Sequence, residues 1–367
     1  MTGTPLARAT LGIVVLALLA GACATASKRL QPRGVALVTA GVEALGRGEL
    51  DRAAGQFALA LEYEPRLAEA DNGLGLVALR RGDHDRAEER FRAALAKNEE
   101  LAEAHVNLAG LLMRRSADEA ALGEARAALA IDPGYADARL LAGELLLRLG
   151  RVDDARWELE KLCAAVPDRA DARAANALVL VRLGRIAAAE EESQAALRLD
   201  PRQPAAHRAR AEILRRSGDL AGATAEIEIA ISANPGSVDD RLMRATLLAA
   251  GGDLAAAATE LDMLAQAAPR SAEVRFALAY VALARGEPRV AEPAAAIALT
   301  LRKLYPEARL VHAEALGQLG RAADSRRELE RFLDEAPDRL AGERARARAQ
   351  LDASKQARGI DTLWNNL

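Results

Sequence analysis

Residues 136–169 read ADARLLAGELLLRLGRVDDARWELEKLCAAVPDR, and the 34 that follow, 170–203, read ADARAANALVLVRLGRIAAAEEESQAALRLDPRQ. Laid over one another, the two stretches agree at position eight (Gly143, Ala177), eleven (Leu146, Leu180), fifteen (Gly150, Gly184), twenty (Ala155, Ala189) and thirty-two (Pro167, Pro201). The same frame extends in both directions, from Gly34 to Arg339, without an insertion or deletion, and holds nine copies. Position eight is always Gly or Ala, and position eleven always Ala or Leu. Position fifteen is Gly in eight copies, with Ser116 in the third; position twenty is Ala in eight, with Ser325 in the ninth; position thirty-two is Pro in seven. A fixed period of this length marks a solenoid of small helical units.

Each of these residues has a mechanical reason. Glycine at fifteen ends a first helix, because only a residue without Cβ takes the left-handed conformation cheaply. Small residues at eight and twenty mark the crossing of two helices, where they let the backbones approach. Proline at thirty-two cannot continue a second helix and stops it before the next unit begins. One such unit cannot bury its apolar face alone, so the units are expected to stack on a continuous core. The composition agrees: 51% apolar residues, mostly Ala and Leu, with 28% charged and 3% aromatic, suits helices in close contact and not a β-sandwich. The 50 basic and 53 acidic residues interleave along the chain, so there is no positive field to gather phosphates, and nucleic acid is not an expected partner.

The pattern resembles the tetratricopeptide repeat family over residues 34–339. The resemblance implies an all-α fold: a right-handed superhelix of nine helix-turn-helix repeats. This chain departs from the family at position four, where a large aromatic gives way to polar residues, often arginine (Arg139, Arg173, Arg241, Arg275, Arg309), and at eleven, where tyrosine gives way to Leu or Ala. In the eighth unit, Pro288 and Pro293 fall around the start of the second helix, which is expected to begin late or kink, and Lys303 replaces the stop proline. Residues 340–367 follow the repeats: Leu340–Arg358 reads as a charged capping helix, and the tail carries Trp364 and Leu367, which either pack back on the last repeat or meet a partner.

The first 23 residues stand outside the repeats. Arg8, the apolar run Leu11–Ala20 and the small residues Gly21 and Ala22 lead into Cys23, the pattern of an export signal, and the run is too short to span a bilayer. LLAGAC resembles the lipobox of bacterial lipoproteins, whose cysteine is acylated; the alternative is an ordinary secretory signal with an incidental cysteine. The resemblance implies a lipid anchor on Cys23, a linker at 24–33, and, since Ala24 is not acidic, an outer-membrane lipoprotein facing the periplasm. Cys163, in the apolar stretch KLCAAV, is then left without a disulfide partner and reads as a small core residue.

Function is expected on the surface. In the resembled family, positions two, five, nine, twelve and thirteen of the first helices line a concave groove. Carried onto this sequence they give Val38, Val42, Asn72, Leu76, Val106, Gly110, Met113, Leu140, Glu144, Leu178, Arg208, Glu212, Leu242, Phe276, Tyr280, Leu310 and Glu314. This largely apolar set suits an extended segment or amphipathic helix of another protein. Phe276 and Tyr280, one helical turn apart, form either an aromatic hot spot or a packing contact between units. Position thirteen is arginine in five successive units: Arg80, Arg114, Arg148, Arg182 and Arg216. These hold an acidic partner segment, or they answer the helix dipole at the last turn. The family's Lys and Asn clamp for a partner's C-terminus has no match here.

Catalysis, a metal and a cofactor are not expected. The four histidines (His84, His105, His207, His312) fall in different units without HExxH or paired cysteines and read as solvated helix residues, and the glycines are taken up by helix turns rather than a phosphate loop. No small-molecule substrate is expected either. The leading expectation is a protein-binding scaffold, similar to the repeat lipoproteins that help type IV pilus secretins assemble; the alternative is a stable subunit of a polysaccharide exporter or tight-adherence pilus machine.

Overall fold

The computed structural model describes the backbone of residues 32–364 and the side chains of 32–352. The first 23 residues, read above as an export signal ending at Cys23, lie outside the described residues, and so do the tail's side chains at Trp364 and Leu367. All regular structure among the described residues is helical: nineteen α-helices and one 3-10 turn, arranged as a repeat solenoid. The chain divides into two compact units, one up to Leu183 and one from Gly184, and each is described by itself.

The first unit holds α1 (Pro32–Gly46), α2 (Leu50–Tyr63), α3 (Ala68–Arg80), α4 (His84–Lys97), α5 (Ala102–Arg114), α6 (Asp118–Ile131), α7 (Ala136–Arg148), α8 (Val152–Ala165) and α9 (Ala170–Arg182). The second holds α10 (Ile186–Leu199), α11 (Pro204–Ser217), α12 (Leu220–Ala233), α13 (Val238–Ala250), α14 (Leu254–Ala267), α15 (Ala272–Ala284), α16 (Pro288–Leu301), α17 (Pro306–Gln318), α18 (Ala322–Glu335) and α19 (Ala341–Trp364). Second helices all start at position seventeen, and first helices at position one from α3 onward, as the period requires; α1 starts at Pro32, two residues ahead of it. Within each unit, a first helix packs on its own second helix, on the second helix before it, and on neighbouring first helices.

The turn glycines behave as the sequence predicts. All eight at position fifteen have φ between 73° and 90°, and Ser116, at the ninth such site, has φ 58°. Serine pays a steric penalty there that glycine does not, partly offset by glycine's freer unfolded chain. Ser116→Gly is therefore expected to stabilise the first unit by about 0.5–1 kcal/mol. A thermal melt in which the variant unfolds earlier than the parent would contradict this.

Helix crossing is set by a size match that sharpens the small-residue rule. Position twenty is fully buried wherever it is alanine, and in the ninth copy the Ser325 hydroxyl donates to the Ala313 carbonyl at 2.7 Å. At position eight, glycine rather than alanine accompanies the phenylalanines at position twenty-four. A methyl on Gly41 would lie 2.6 Å from the Phe57 ring, and one on Gly75 would lie 2.5 Å from Phe91. Gly143 stands in the same relation to Leu159, at 2.6 Å. Where position twenty-four is small, as at Ala125 and Ala295, position eight is alanine (Ala109, Ala279).

The polar residues at position four prove to be part of the packing. In six repeats they pair with position twenty-three of the same repeat's second helix: Asp71 with Arg90 (2.9 Å), His105 with Glu124 (2.6 Å), Arg139 with Glu158 (2.6 Å), His207 with Glu226 (2.6 Å), Arg241 with Glu260 (2.6 Å) and Arg309 with Glu328 (2.7 Å). Position-four side chains also reach the position-thirty-two carbonyl of the preceding linker, four of them from these pairs and Arg173 besides: Glu99 from His105 (3.0 Å), Pro133 from Arg139, Pro167 from Arg173 (2.7 Å), Pro201 from His207 (3.0 Å) and Lys303 from Arg309 (3.1 Å). A forked or two-nitrogen side chain thus clasps its own second helix and the loop behind it, a task the family's aromatic cannot perform. In the second repeat the polarity is reversed, and Lys97 adds a second cation to buried Asp71 at 2.5 Å. Burial alone would raise the Glu260 carboxyl, but hydrogen bonds from Arg241 and Arg244 outweigh it and hold the group below the ordinary carboxylate value.

Three readings of the sequence need correction. The histidines are not all solvated: His207 is buried, His105 is clasped as above, and His312 lies 3.7 Å from Glu292 and 3.9 Å from Glu328; His84 alone of the four is exposed. The second helix of the eighth repeat begins on schedule, because Pro288 takes the first helical position, where its missing N–H costs nothing, and the helix runs through Pro293 to Leu301. Its end needs no proline at 303: the helix stops at Leu301, and Pro306 opens α17. Cys163 is half-buried against the first unit's core.

The C-terminal helix caps the last repeat as expected. After the 3-10 turn Asp338–Leu340, α19 lays Ala347 and Leu351 on Ala313, Leu329, Phe332 and Ala336.

Candidate functional site

In the first unit, the groove set is largely half-buried, because neighbouring first helices cover part of each side chain. Val38 is closed off altogether, at 7% exposure. Val42, Leu76, Val106, Met113, Leu140, Glu144 and Leu178 are half-buried, and Asn72 accepts a hydrogen bond from Asn107 at 2.9 Å. Gly110 faces open space. Arg80, Arg114, Arg148 and Arg182 are exposed at the ends of their helices, and Arg148 meets Asp118 at 3.1 Å.

In the second unit Arg208, Glu212 and Arg216 are engaged within the protein. Arg208 pairs with fully buried Asp240. Glu212 accepts from Arg215 (2.7 Å) and Arg216 (2.9 Å); burial would raise its carboxyl, but these two hydrogen bonds prevail and lower it. Leu242 and Leu310 are half-buried, and Glu314 is exposed.

Phe276 and Tyr280 do come together, with ring centroids 6.3 Å apart, and the structure adds a third ring that the sequence reading missed. Tyr305, from the linker after α16, lies 5.1 Å from Phe276, and the Arg302 guanidinium sits 4.8 Å above its face. Burial, helped by the Glu273 carboxylate, pushes the Tyr305 phenol up. Tyr305 is at position thirty-four, outside the groove positions, so periodicity gave no signal for it. Phe276 is half-buried in this cluster and Tyr280 is 55% exposed, so the pair divides between packing and surface.

The largest exposed apolar side chains lie elsewhere. Leu59, Ile131 and Trp157 in the first unit, and Leu199, Ile229, Met263, Val290, Ile297 and Leu301 in the second, all belong to second helices; Tyr280 is the one large exposed hydrophobic on a first helix among the described residues. Position twenty-six is occupied by Ile229, Met263 and Ile297 in three successive repeats. No group of three or more His, Cys, Asp or Glu side chains among the described residues could hold a metal ion, and no helix among them is long and apolar enough to cross a membrane.

Fold and surface together define a class, a scaffold of helical hairpin repeats that meets other molecules across its faces. Two family models, both described as tetratricopeptide repeat, match residues 38–89, 75–136 and 174–238, and residues 118–163. The chain belongs to the tetratricopeptide repeat family, whose members act as protein-interaction scaffolds. Among solved structures it is similar to the APC/C hetero-tetramer Cut9–Hcn1, at 17% identity and a TM-score of 0.64, with 83% of this chain and 67% of that one covered. It is similar also to the human IFIT1 dimer with PPP-AAAA, at 15% identity and a TM-score of 0.63, covering 91% and 84%. Both likenesses are of fold. Pseudomonas aeruginosa PilF matches at 25% identity over 58% of this chain and 97% of that one, with a TM-score of 0.41, too low to bear on function. No curated protein matches the chain.

Proposed function

We propose that this chain is a periplasm-facing scaffold held at the outer membrane by acylated Cys23, and that it assists assembly of an envelope complex of the type IV pilus or secretin kind. The observation that carries the reading is the sequence LLAGAC ending at Cys23, a few residues ahead of nine uninterrupted repeats. Acyl chains contribute about 0.8 kcal/mol per buried CH₂, so two or more anchor a protein durably. The small Ala24 that follows is without the acidic character of an inner-membrane retention signal. Fractionation tests the anchor: Cys23→Ser is expected to leave the outer-membrane fraction, and a variant that stays there refutes lipidation. A photocrosslinker at Tyr280 is expected to capture a partner protein substoichiometrically. Stoichiometric co-purification would instead make the chain a standing subunit, as in a polysaccharide exporter or tight-adherence pilus.

A further inference from the structure

The row of arginines at position thirteen is resolved by its neighbours. In the first unit, one arginine at the end of α3, α5 and α7 ties that repeat to the N-terminal turn of the second helix before it. Arg81 meets Asp51, Arg115 meets Asp85 and Glu88 (both 2.5 Å), and Arg148 meets Asp118 (3.1 Å). In the fourth repeat the tie is made by position thirteen itself. In the second and third it is made by position fourteen, which also supplies the cation at the C-terminus of the helix dipole. Arg80 and Arg114 are thereby duplicated. Both are exposed, and neither side chain makes an ion pair or hydrogen bond with another described residue.

Nothing in the fold asks for a second guanidinium at these two places, and adjacent like charges repel. The acids at position two of the same helices, Glu69 and Glu103, lie eleven residues away, about 16 Å along a helix axis. Between the two ends sit half-buried Leu76, Val106 and Met113 and the open space over Gly110. We propose that Arg80 and Arg114 form the anionic subsite of a binding face on α3 and α5, and that its occupant is a protein segment with acidic residues next to aliphatic ones. The carboxylates take the two free guanidinium forks, and the aliphatic side chains rest on Leu76, Val106 and Met113. Charge complementarity selects this occupant: the acids at this end, Asp51, Asp85 and Glu88, are taken up by Arg81 and Arg115, which leaves Arg80 and Arg114 as two unanswered positive charges. This rests on the scaffold reading above and specifies the partner's chemistry.

The test uses the purified full chain and two labelled peptides of about ten residues. One has four glutamates followed by alternating leucine and serine; the other has lysines in place of the glutamates. Fluorescence anisotropy is expected to show the glutamate peptide binding at least about tenfold more tightly, with the margin shrinking as salt rises. Arg80→Glu with Arg114→Glu is expected to erase the preference while leaving the thermal midpoint unchanged. Arg81→Gln with Arg115→Gln is expected to lower the midpoint and keep the preference. Equal affinity for the two peptides, or a preference that survives reversal at Arg80 and Arg114, overturns the proposal. If crosslinking at Tyr280 still captures a partner in that case, the scaffold reading stands and only this subsite falls.

Discussion

Phe57→Ala is expected to destabilise the first unit by about 3–5 kcal/mol, read as a lower midpoint in urea and faster amide exchange in α1–α3. The ring is fully buried and fills the space that two glycines leave for it, Gly41 on α1 and Gly73 on α3. Removing it takes away the transfer free energy of a benzyl group and leaves a void lined by backbone, which cannot collapse without moving two helices. The reciprocal change is equally informative. Gly41→Ala puts a methyl 2.6 Å from the ring and is expected to destabilise by about 1–3 kcal/mol in the parent, but to be partly compensated in a Phe57→Leu background. Simple additivity of the two substitutions would mean that the match between positions eight and twenty-four is incidental.

A second large effect is expected at Arg309, which is 8% exposed and joins Glu328 (2.7 Å), Glu335 (2.8 Å) and the Lys303 carbonyl (3.1 Å). Burial by itself would lower its basicity, but the two carboxylates overcome this and raise it, so the guanidinium stays charged. Arg309→Ala takes away the guanidinium shared by Glu328 and Glu335 and leaves Glu328 with only the exposed Arg331 at 3.2 Å and His312 at 3.9 Å, and the expected loss is about 3 kcal/mol. Arg309→Met combined with Glu328→Met removes both members of the main pair and is expected to recover most of it, since what is costly is an orphaned charge. Unfolding followed through α17–α19 distinguishes the two variants. If the single and double variants melt alike, the clasp does not hold the last repeat together.

The architecture was legible because the features that build it recur. Helix starts, turn glycines and small crossing residues sit at fixed positions, and the nine copies between Gly34 and Arg339 make each assignment confirm the others. The position-four pairs were harder to see: Arg139 and Glu158 are nineteen residues apart on different helices, and only folding shows that the departure from the family's aromatic is answered at position twenty-three. Reading His105 and His207 as solvated failed for the same reason, since a lone histidine carries no sign of its partner. The candidate surface was the least legible part. Periodicity says which positions lie on a first helix, but not how far the next helix covers them, so Val38 is closed while Met263 and Ile297, on second helices, stand open. Tyr305 belongs to a linker, at a position outside those that the family places in the groove.

The clasp at position four has a further consequence for how such a chain can change in length. Its charged partners, positions four and twenty-three, lie within one repeat, and what it takes from the repeat behind is a main-chain carbonyl, which every sequence supplies. Even the inverted pair Asp71–Arg90 is self-contained. Whole 34-residue cassettes can therefore be duplicated, deleted or shuffled without a position-four charge losing its mate, whereas the ties between repeats, such as Arg81–Asp51 and Arg208–Asp240, must be made anew at each junction.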